Sequence, residues 1–409
     1  MSFTQEEKEG FFKAVESLKR YRRAELRDTD GQNLLKELYT DLLPDNFILK
    51  KSLLENTTFL IGRKGTGKST IFLRIEQELR EKEGFLPCYI DINTTYESSN
   101  SKTVTSSKVS EFIESDLVDK YLLERTFIQA VLSEIIKEIE KKYDSGFEKL
   151  KEVLGVSQAE KVKAKLEEIK KGINDNEYLE TIEIPILQNI KTKTVQSDEK
   201  KNEKSKSLKL PDISASASAT ELGGEIKNDI GVSSKNISSV LNQNETEFSN
   251  VFIKVFQIKE IISGIKEILS TLGIRHLYIL LDDFSEIEDS ALKTFVDVIL
   301  EPLNNWSDEF IKFKVAAYPN RIYYGKIDPG KIDVINLDFY NLYSEFARDK
   351  METNAIAFTK RILTKRIKHY TDNNPSKFFD TSSTPIEEYY ELLFNTSMNV
   401  PRILGYILS

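Results

Sequence analysis

Residues 57–61, TTFLI, form an unbroken β-branched, aromatic and aliphatic run that a glycine closes. A short apolar run bounded by a turn residue predicts a strand buried on both faces. Similar runs follow at 87–92 (PCYIDI), 276–281 (HLYILL), 312–318 (KFKVAAY) and 334–337 (VINL). The last three end in Asp282-Asp283, Pro319-Asn320-Arg321 and Asp338. Between most of these strands, apolar positions recur at three- and four-residue steps, over 69–81, 121–142, 252–272 and 286–303. That spacing puts them on one face of a helix. Strands alternating with helices predict an α/β chain: a parallel sheet with helices on both faces.

The flanks read as helical. Phe11, Val15, Leu18 and Tyr21 mark one helix over 6–26, which Asp28-Thr29-Asp30-Gly31 ends. A second helix is expected over 33–43, stopped by Pro44. After the fifth strand, 342–370 carries Phe346, Ile356, Phe358, Ile362, Leu363 and Ile367 in helical spacing. Residues 386–394 predict another helix, and Pro401 opens a last one, as proline does at a first turn.

One connection is too long. Residues 93–275 separate the second and third strands, where one crossover helix would suffice. The excess lies in 143–250. It starts as Lys/Glu-rich helix (KLKEVLG, AEKVKAKLEEIKK) and passes through the polar tract SDEKKNEKSKS, whose composition cannot form a packed core. It then reaches 212–219, where Ile213, Ala215, Ala217 and Ala219 alternate with Asp212, Ser214, Ser216 and Ser218 before Gly223-Gly224. Alternation followed by a glycine pair predicts a β-hairpin. The expected organisation is an N-terminal helical segment (1–43), a core (44–142 and 251–341), an inserted helical and hairpin module (143–250) and a C-terminal helical region (342–409).

Composition narrows the chemistry. The 409 residues include two histidines, His276 and His369, and one cysteine, Cys88. An intrachain disulfide is excluded, and so is a structural zinc site built from four Cys or His ligands. Neither histidine has the setting of a Ser-His-Asp or Cys-His centre. Oxygen is left as the ligand for any metal, which suits magnesium. The chain carries 58 basic and 66 acidic side chains, a net charge of −8, which argues against a wholly basic nucleic-acid binder. No apolar run approaches the ~18 residues of a membrane span. The N-terminus MSFTQEEKEG is polar rather than signal-like, so a cytoplasmic protein is expected.

Gly62-Arg63-Lys64-Gly65-Thr66-Gly67-Lys68-Ser69 matches G-x-x-x-x-G-K-[ST], between a predicted strand and a predicted helix. Glycines let the backbone wrap closely, so that successive N–H groups point at phosphate oxygens. The helix start adds the positive end of its dipole. In this reading Lys68 lies between the terminal two phosphates, and the Ser69 hydroxyl ligates magnesium. The nucleotide-binding set is Gly62, Arg63, Lys64, Gly65, Thr66, Gly67, Lys68, Ser69 and Thr70. Adjacent aspartates at the end of a buried strand call for a cation. Asp282 is therefore assigned to magnesium through water, and Asp283 to polarising the attacking water. Asn320, just past the fourth strand, is placed to sense a γ-phosphate or orient water. Arg402, at the start of the last helix, is placed to reach a phosphate. Asp91, ending the second strand, reads as structural.

GRKGTGKST, YILLDD, a polar residue after the fourth strand and NVPR in a C-terminal helical segment together resemble the additional-strand (ASCE) P-loop ATPases. Within them the chain is similar to the AAA+ and STAND branch, nearest to origin-recognition-type ATPases, over about 44–95 and 274–409. The resemblance implies a five-stranded sheet in the order 5-1-4-3-2 and a helical lid carrying Arg402. It also implies sensor roles for Asn320 and Arg402, ATP and Mg2+ as ligands, assembly with nucleotide state, and a homo-oligomeric or effector partner. Many bacterial members of that group act in anti-phage defence, so the resemblance implies such a role as an expectation. AAA+ enzymes usually carry Asp-Glu where this chain has Asp282-Asp283, while STAND proteins often carry the Asp pair, so slow, switch-like hydrolysis is expected. Arg321, Arg348 and Arg361 are the arginine-finger candidates.

A DNA-binding ATPase of initiator type is the alternative, motivated by the resemblance and by the lysine-rich stretch at 191–209. Net acidity and the lack of a recognisable DNA-reading domain weigh against it. A small-molecule kinase fits the helical C-terminal region and the Asp pair poorly, and no LSGGQ-like signature precedes Tyr278 to suggest a transporter ATPase.

Overall fold

The computed structural model describes residues 3–19, 33–101, 115–174, 258–306, 310–346 and 350–409. The glycine break at 28–31, the tract at 191–209, the hairpin expected near 212–224 and Arg348 lie outside them.

The strands are β1 (Thr57–Ile61), β2 (Phe85–Asp91), β3 (His276–Asp282), β4 (Ile311–Ala317) and β5 (Ile332–Asn336). The helices are α1 (Gln5–Lys19), α2 (Leu35–Leu38), α3 (Phe47–Ser52), α4 (Lys68–Arg80), α5 (Ile92–Ser101), α6 (Ser115–Leu154), α7 (Val156–Asn174) and α8 (Ile258–Thr271). They continue with α9 (Asp289–Phe295), α10 (Glu301–Trp306), α11 (Phe339–Phe346), α12 (Met351–Thr371), α13 (Ile386–Ser397) and α14 (Pro401–Ile407). A π-turn, Val296–Leu300, joins α9 to α10. Each apolar run of the sequence becomes a strand, within two or three residues at either end. The single helix expected over 342–370 is instead α11 and α12.

The chain divides into two compact units. The first comprises residues 1–94, 273–292 and 303–409, and the second comprises 95–272 and 293–302. The boundaries expected at 142 and 251 thus fall inside the second unit, and the C-terminal helices belong to the first. In the second unit α6 presents Phe127, Ile128, Val131, Leu132, Ile135 and Ile139 as fully buried residues. Gly155, at φ +83°, separates α6 from α7. The two helices are linked where the Tyr143 hydroxyl donates to the Ala159 carbonyl at 2.8 Å.

In the first unit the five strands form one all-parallel sheet, ordered β2-β3-β4-β1-β5. Every residue of β1 and β4 is buried, as expected of strands in the middle of a parallel sheet. One core cluster joins Leu60, Tyr278, Leu280, Ala316 and Ile335 of the sheet to Ile71, Phe72 and Ile75 of α4. It extends to Phe358 and Ile362 of α12, Phe394 of α13 and Leu404 of α14.

A lysine sits inside this hydrophobic face. Lys314 of β4 is fully buried, and burial lowers its pKa to about 7. Its Nζ donates to the carbonyls of Leu54 (2.8 Å) and Asn56 (2.6 Å) and to Thr58 Oγ1 (3.0 Å). The ammonium thereby satisfies the irregular backbone leading into β1, whose carbonyls have no strand partner there.

The helix expected over 33–43 is a single turn. Beyond Leu38 the backbone groups bond to side chains far along the chain. Arg361 Nη2 donates to the carbonyls of Asp41 (3.2 Å) and Leu42 (2.9 Å), and Lys365 Nζ to Tyr39 O (2.7 Å). Arg366 Nη1 donates to Leu38 O (3.2 Å), and the Tyr343 hydroxyl to Leu42 O (2.8 Å). The buried Asp41 carboxylate accepts from the amides of Leu43 (2.9 Å) and Leu49 (3.0 Å). A tertiary clamp from α11 and α12 replaces the local helical ladder.

Lys314→Met tests how far β1 depends on the buried ammonium. Two carbonyls lose their donor while the desolvation cost of a charge disappears, and the net loss expected is about 2 kcal/mol. Urea denaturation measures it; equal or higher stability would mean that desolvation outweighs the bonds.

Candidate functional site

Parallel register brings three strand ends to one level. Ile61 pairs with Ala317 on one side and with Asn336 on the other. Leu281 pairs with Val315, and Asp91 with Asp282. The loop leaving β1 and the acidic pair ending β3 therefore emerge at the same edge of the sheet, on either side of β4. Two backbone bonds fix the loop's exit, from Gly62 N to Ala317 O (3.1 Å) and from Leu337 N to Ile61 O (2.7 Å).

The 62–69 loop needs its glycines where the backbone turns left-handed. Gly65 has φ +88° and Gly67 φ +93°. Gly67 is the N-cap of α4, and a Cβ there would meet nothing within 4 Å. At Gly65 a Cβ would stand 3.0 Å from Val400 Cγ1 and 3.2 Å from Arg402 Cβ, so this position also gives room to α14.

Lys68 is the centre of the arrangement. It is buried, and its Nζ donates to Gly62 O at 2.6 Å and Arg63 O at 3.1 Å. The same nitrogen lies 4.3 Å from the centre of the Tyr318 ring, a cation–π contact. Burial lowers its pKa to about 8, against the opposing pull of Asp282, Asp283 and Glu286 and in the same direction as Arg402. Lys68, Asp283, Glu286 and Arg402 line the same cavity. Asp282 is buried at the end of β3. Its Oδ2 accepts from the Tyr89 hydroxyl, and its Oδ1 from the Asp283 amide at 3.0 Å. Asp283 turns left-handed at φ 52° and starts the short 3-10 turn 284–286.

A cavity opens over the loop. Its lining includes Lys64 to Thr70, Asp283, Glu286, Tyr318 and Arg402, together with Tyr39 to Leu42 of the clamped segment. Gly62 and Arg63 shape the loop through their carbonyls rather than by lining this space. Ser69 and Thr70, in the first turn of α4, are half-buried along its wall. Arg63 pairs with Asp338 at 3.2 Å.

Asn320 does not join the cluster. It is exposed, at φ 63°, in the turn after β4 and is not among the cavity-lining residues. The group from this strand end that faces Lys68 is Tyr318. Its hydroxyl donates to Glu286 Oε1, the oxygen that also pairs with Lys64 at 3.0 Å. Burial, followed by the Glu286 bond, raises the Tyr318 pKa well above its ordinary value. Ser285 locks this corner: its Oγ accepts from Tyr318 N and donates to Arg321 O, both at 2.9 Å. Arg321 bonds Ile287 O (2.7 Å) and Asp289 (2.8 Å), and Arg361 is held by the clamp. Neither arginine is aimed away from its own chain. Asp91 accepts from the Thr94 amide at 2.9 Å.

Glu286, Tyr318 and the segment at 39–42 are the site residues that the sequence did not reveal. Glu286 follows the acidic pair by three residues, a spacing that only the 3-10 turn makes meaningful.

The arrangement offers an inward-facing loop, a helix N-terminus, a buried ammonium and an arginine on one side, and carboxylates on the other. It can hold a polyanion and present oxygen ligands beside it. Among the described residues no cluster of three or more His, Cys, Asp or Glu side chains is placed to hold a metal by itself. No described helix is long and apolar enough to cross a membrane. Comparison with protein-family models, curated proteins and solved structures gave no match.

Alanine substitutions separate the two glycines. Each pays a left-handed penalty of about 1 kcal/mol, and Gly65→Ala adds the approach to Val400. Gly65→Ala should therefore lower stability more than Gly67→Ala in chemical denaturation, and equal losses would show that α14 yields freely.

Proposed function

We propose that this chain is an ATP-binding and ATP-hydrolysing switch of the P-loop NTPase class, similar to the AAA+ and STAND group. The observation that carries the reading is that the loop with its buried Lys68, Asp283, Glu286 and Arg402 line one cavity, at the sheet edge where Asp282 ends β3. The order of strands supports it: counted from β5 the sheet runs 5-1-4-3-2, with the loop-bearing strand between the fifth and fourth.

Each residue has a task. Loop amides and the start of α4 receive the phosphates. Lys68 exchanges its bonds to Gly62 O and Arg63 O for phosphate oxygens, a trade of neutral acceptors for charged ones. Arg402, packed against Gly65, adds a second cation from the C-terminal helices. The Ser69 hydroxyl and the buried Asp282 carboxylate fit Mg2+, which takes oxygen ligands from one or two protein groups plus phosphates and water. Bound there, the metal would neutralise charge developing on the phosphates. Tyr89 and the Asp283 amide hold the Asp282 carboxylate in place. Asp283, half-buried at the cavity wall, orients the attacking water and takes up its proton. Tyr318, the residue that follows β4, has its ring against Lys68 and, in this reading, takes the place that Asn320 does not occupy.

Lys68→Ala should abolish ATP binding, while Asp283→Asn should keep binding and slow phosphate release by about a hundredfold or more. Calorimetry and single-turnover assays read the two effects. Undiminished ATP affinity in Lys68→Ala would end this reading.

The pH dependence has a definite sign. In the free protein Lys68 loses its proton as pH rises through about 8, and a bound polyphosphate keeps it charged. Binding therefore takes up a proton above that pH, and ATP affinity should fall by up to about tenfold per pH unit. Below about pH 7 the Lys68 contribution should be level. Titrations in buffers of different ionisation enthalpy check the proton uptake; none at pH 9 would remove Lys68 from the site.

A further inference from the structure

The cavity contains one buried cation that phosphate chemistry leaves unused. Arg366 of α12 lines it but is 6% exposed. Its sole hydrogen-bond acceptor among the described residues is Leu38 O, reached by Nη1 at 3.2 Å, and its buried Nε has no partner. Burial lowers its pKa only to about 10, so it is charged at neutral pH. A buried guanidinium on a single carbonyl is a costly arrangement for stability alone.

Its place along α12 shows what it can reach. Phe358, Ile362 and Arg366 lie four residues apart and all line the cavity. At the loop end of this row, Thr359 Oγ1 donates to Asn399 Oδ1 at 3.1 Å, and Val400 next to it touches Gly65. Arg366 lies seven residues further on, about 10 Å along the helix at 1.5 Å per residue. That is the span from the phosphates across a ribose to a base. The wall between is apolar, from Phe358 and Ile362, and Leu35 and Tyr39 complete the far end. A slot with an apolar wall on α12, a cation at its far end and the polar side chains of Thr40 and Asp41 in its lining suits a flat heterocycle that carries hydrogen-bond donors and acceptors.

Resting on the nucleotide reading above, we propose that Arg366 is the base-recognising residue of this site, its guanidinium donating to a ring nitrogen of the purine. It touches the base and not the reacting phosphates, so it governs which nucleotide binds rather than the rate of the bound one.

Deaza nucleotides test this, because each replaces one ring nitrogen acceptor by C–H. ATP and its 1-deaza, 3-deaza and 7-deaza analogues are titrated into the full chain and into Arg366→Met. The parent should lose about tenfold in affinity for one analogue, the value of a charge-assisted bond. Arg366→Met should lose a similar factor for ATP and no longer distinguish that analogue. If the parent binds all three analogues as tightly as ATP, the proposal is overturned, and this holds even if Arg366→Met does not fold. Parent protein that binds inorganic tripolyphosphate but gains nothing from the nucleoside also overturns it, while leaving the phosphate loop intact. Parent protein that binds neither ATP nor tripolyphosphate brings down the nucleotide reading itself.

Discussion

A buried ammonium must be surrounded by oxygen, and the first unit is arranged around meeting that demand at Lys68. Carbonyls of its own loop take two of its protons, the Tyr318 ring covers it, and carboxylates from the end of β3 and the following turn lower the cost of its charge. None of these groups is adjacent to another in sequence except through the loop or the acidic pair. Parallel pairing of β1, β3 and β4 brings them together, because it ends the strands at one level. A one-residue slip of β3 would also send Asp282 to the opposite face of the sheet.

The second demand for oxygen is met in the opposite sense. Between α2 and α3 the backbone offers carbonyls, and α12 supplies cations. Arg361, Lys365 and Arg366 sit on one helix and bond the carbonyls of Leu38, Tyr39, Asp41 and Leu42 in one segment. The segment forms a wall of the cavity, and so does the helix. Any movement of α12 must therefore carry that wall with it or break several charge-assisted bonds. Lys365 feels both the burial and its cationic neighbours, which together lower its pKa.

The strands were legible because a buried parallel strand needs nothing but a short apolar run and a break after it. The loop at 62–69 was legible because its conformation is local: positive φ at Gly65 and Gly67 demands glycine at those spacings. Asp282 was legible because charge at the end of an apolar strand has few explanations. The helix read over 33–43 failed for the converse reason. Its apolar spacing is genuine, and Leu35, Leu38, Leu42 and Leu43 are buried, but its carbonyls find distant partners that no local pattern announces. Asn320 was placed by analogy of position; a left-handed turn carries it outward, and the residue two before it faces the ammonium instead.

Acting alone, the amino-acid order determined which segments are strands and where a left-handed glycine loop forms, because those follow from apolar runs and glycines within a few residues. Only the tertiary structure decided which polar groups share a volume. Glu286 and Tyr318 at the ammonium, Arg366 in the cavity and the clamp on residues 38–42 all depend on contacts between segments up to 328 residues apart. Hydrogen bonding and charge pairing act over a few ångströms, and sequence distance carries no trace of them until the sheet and helices have closed.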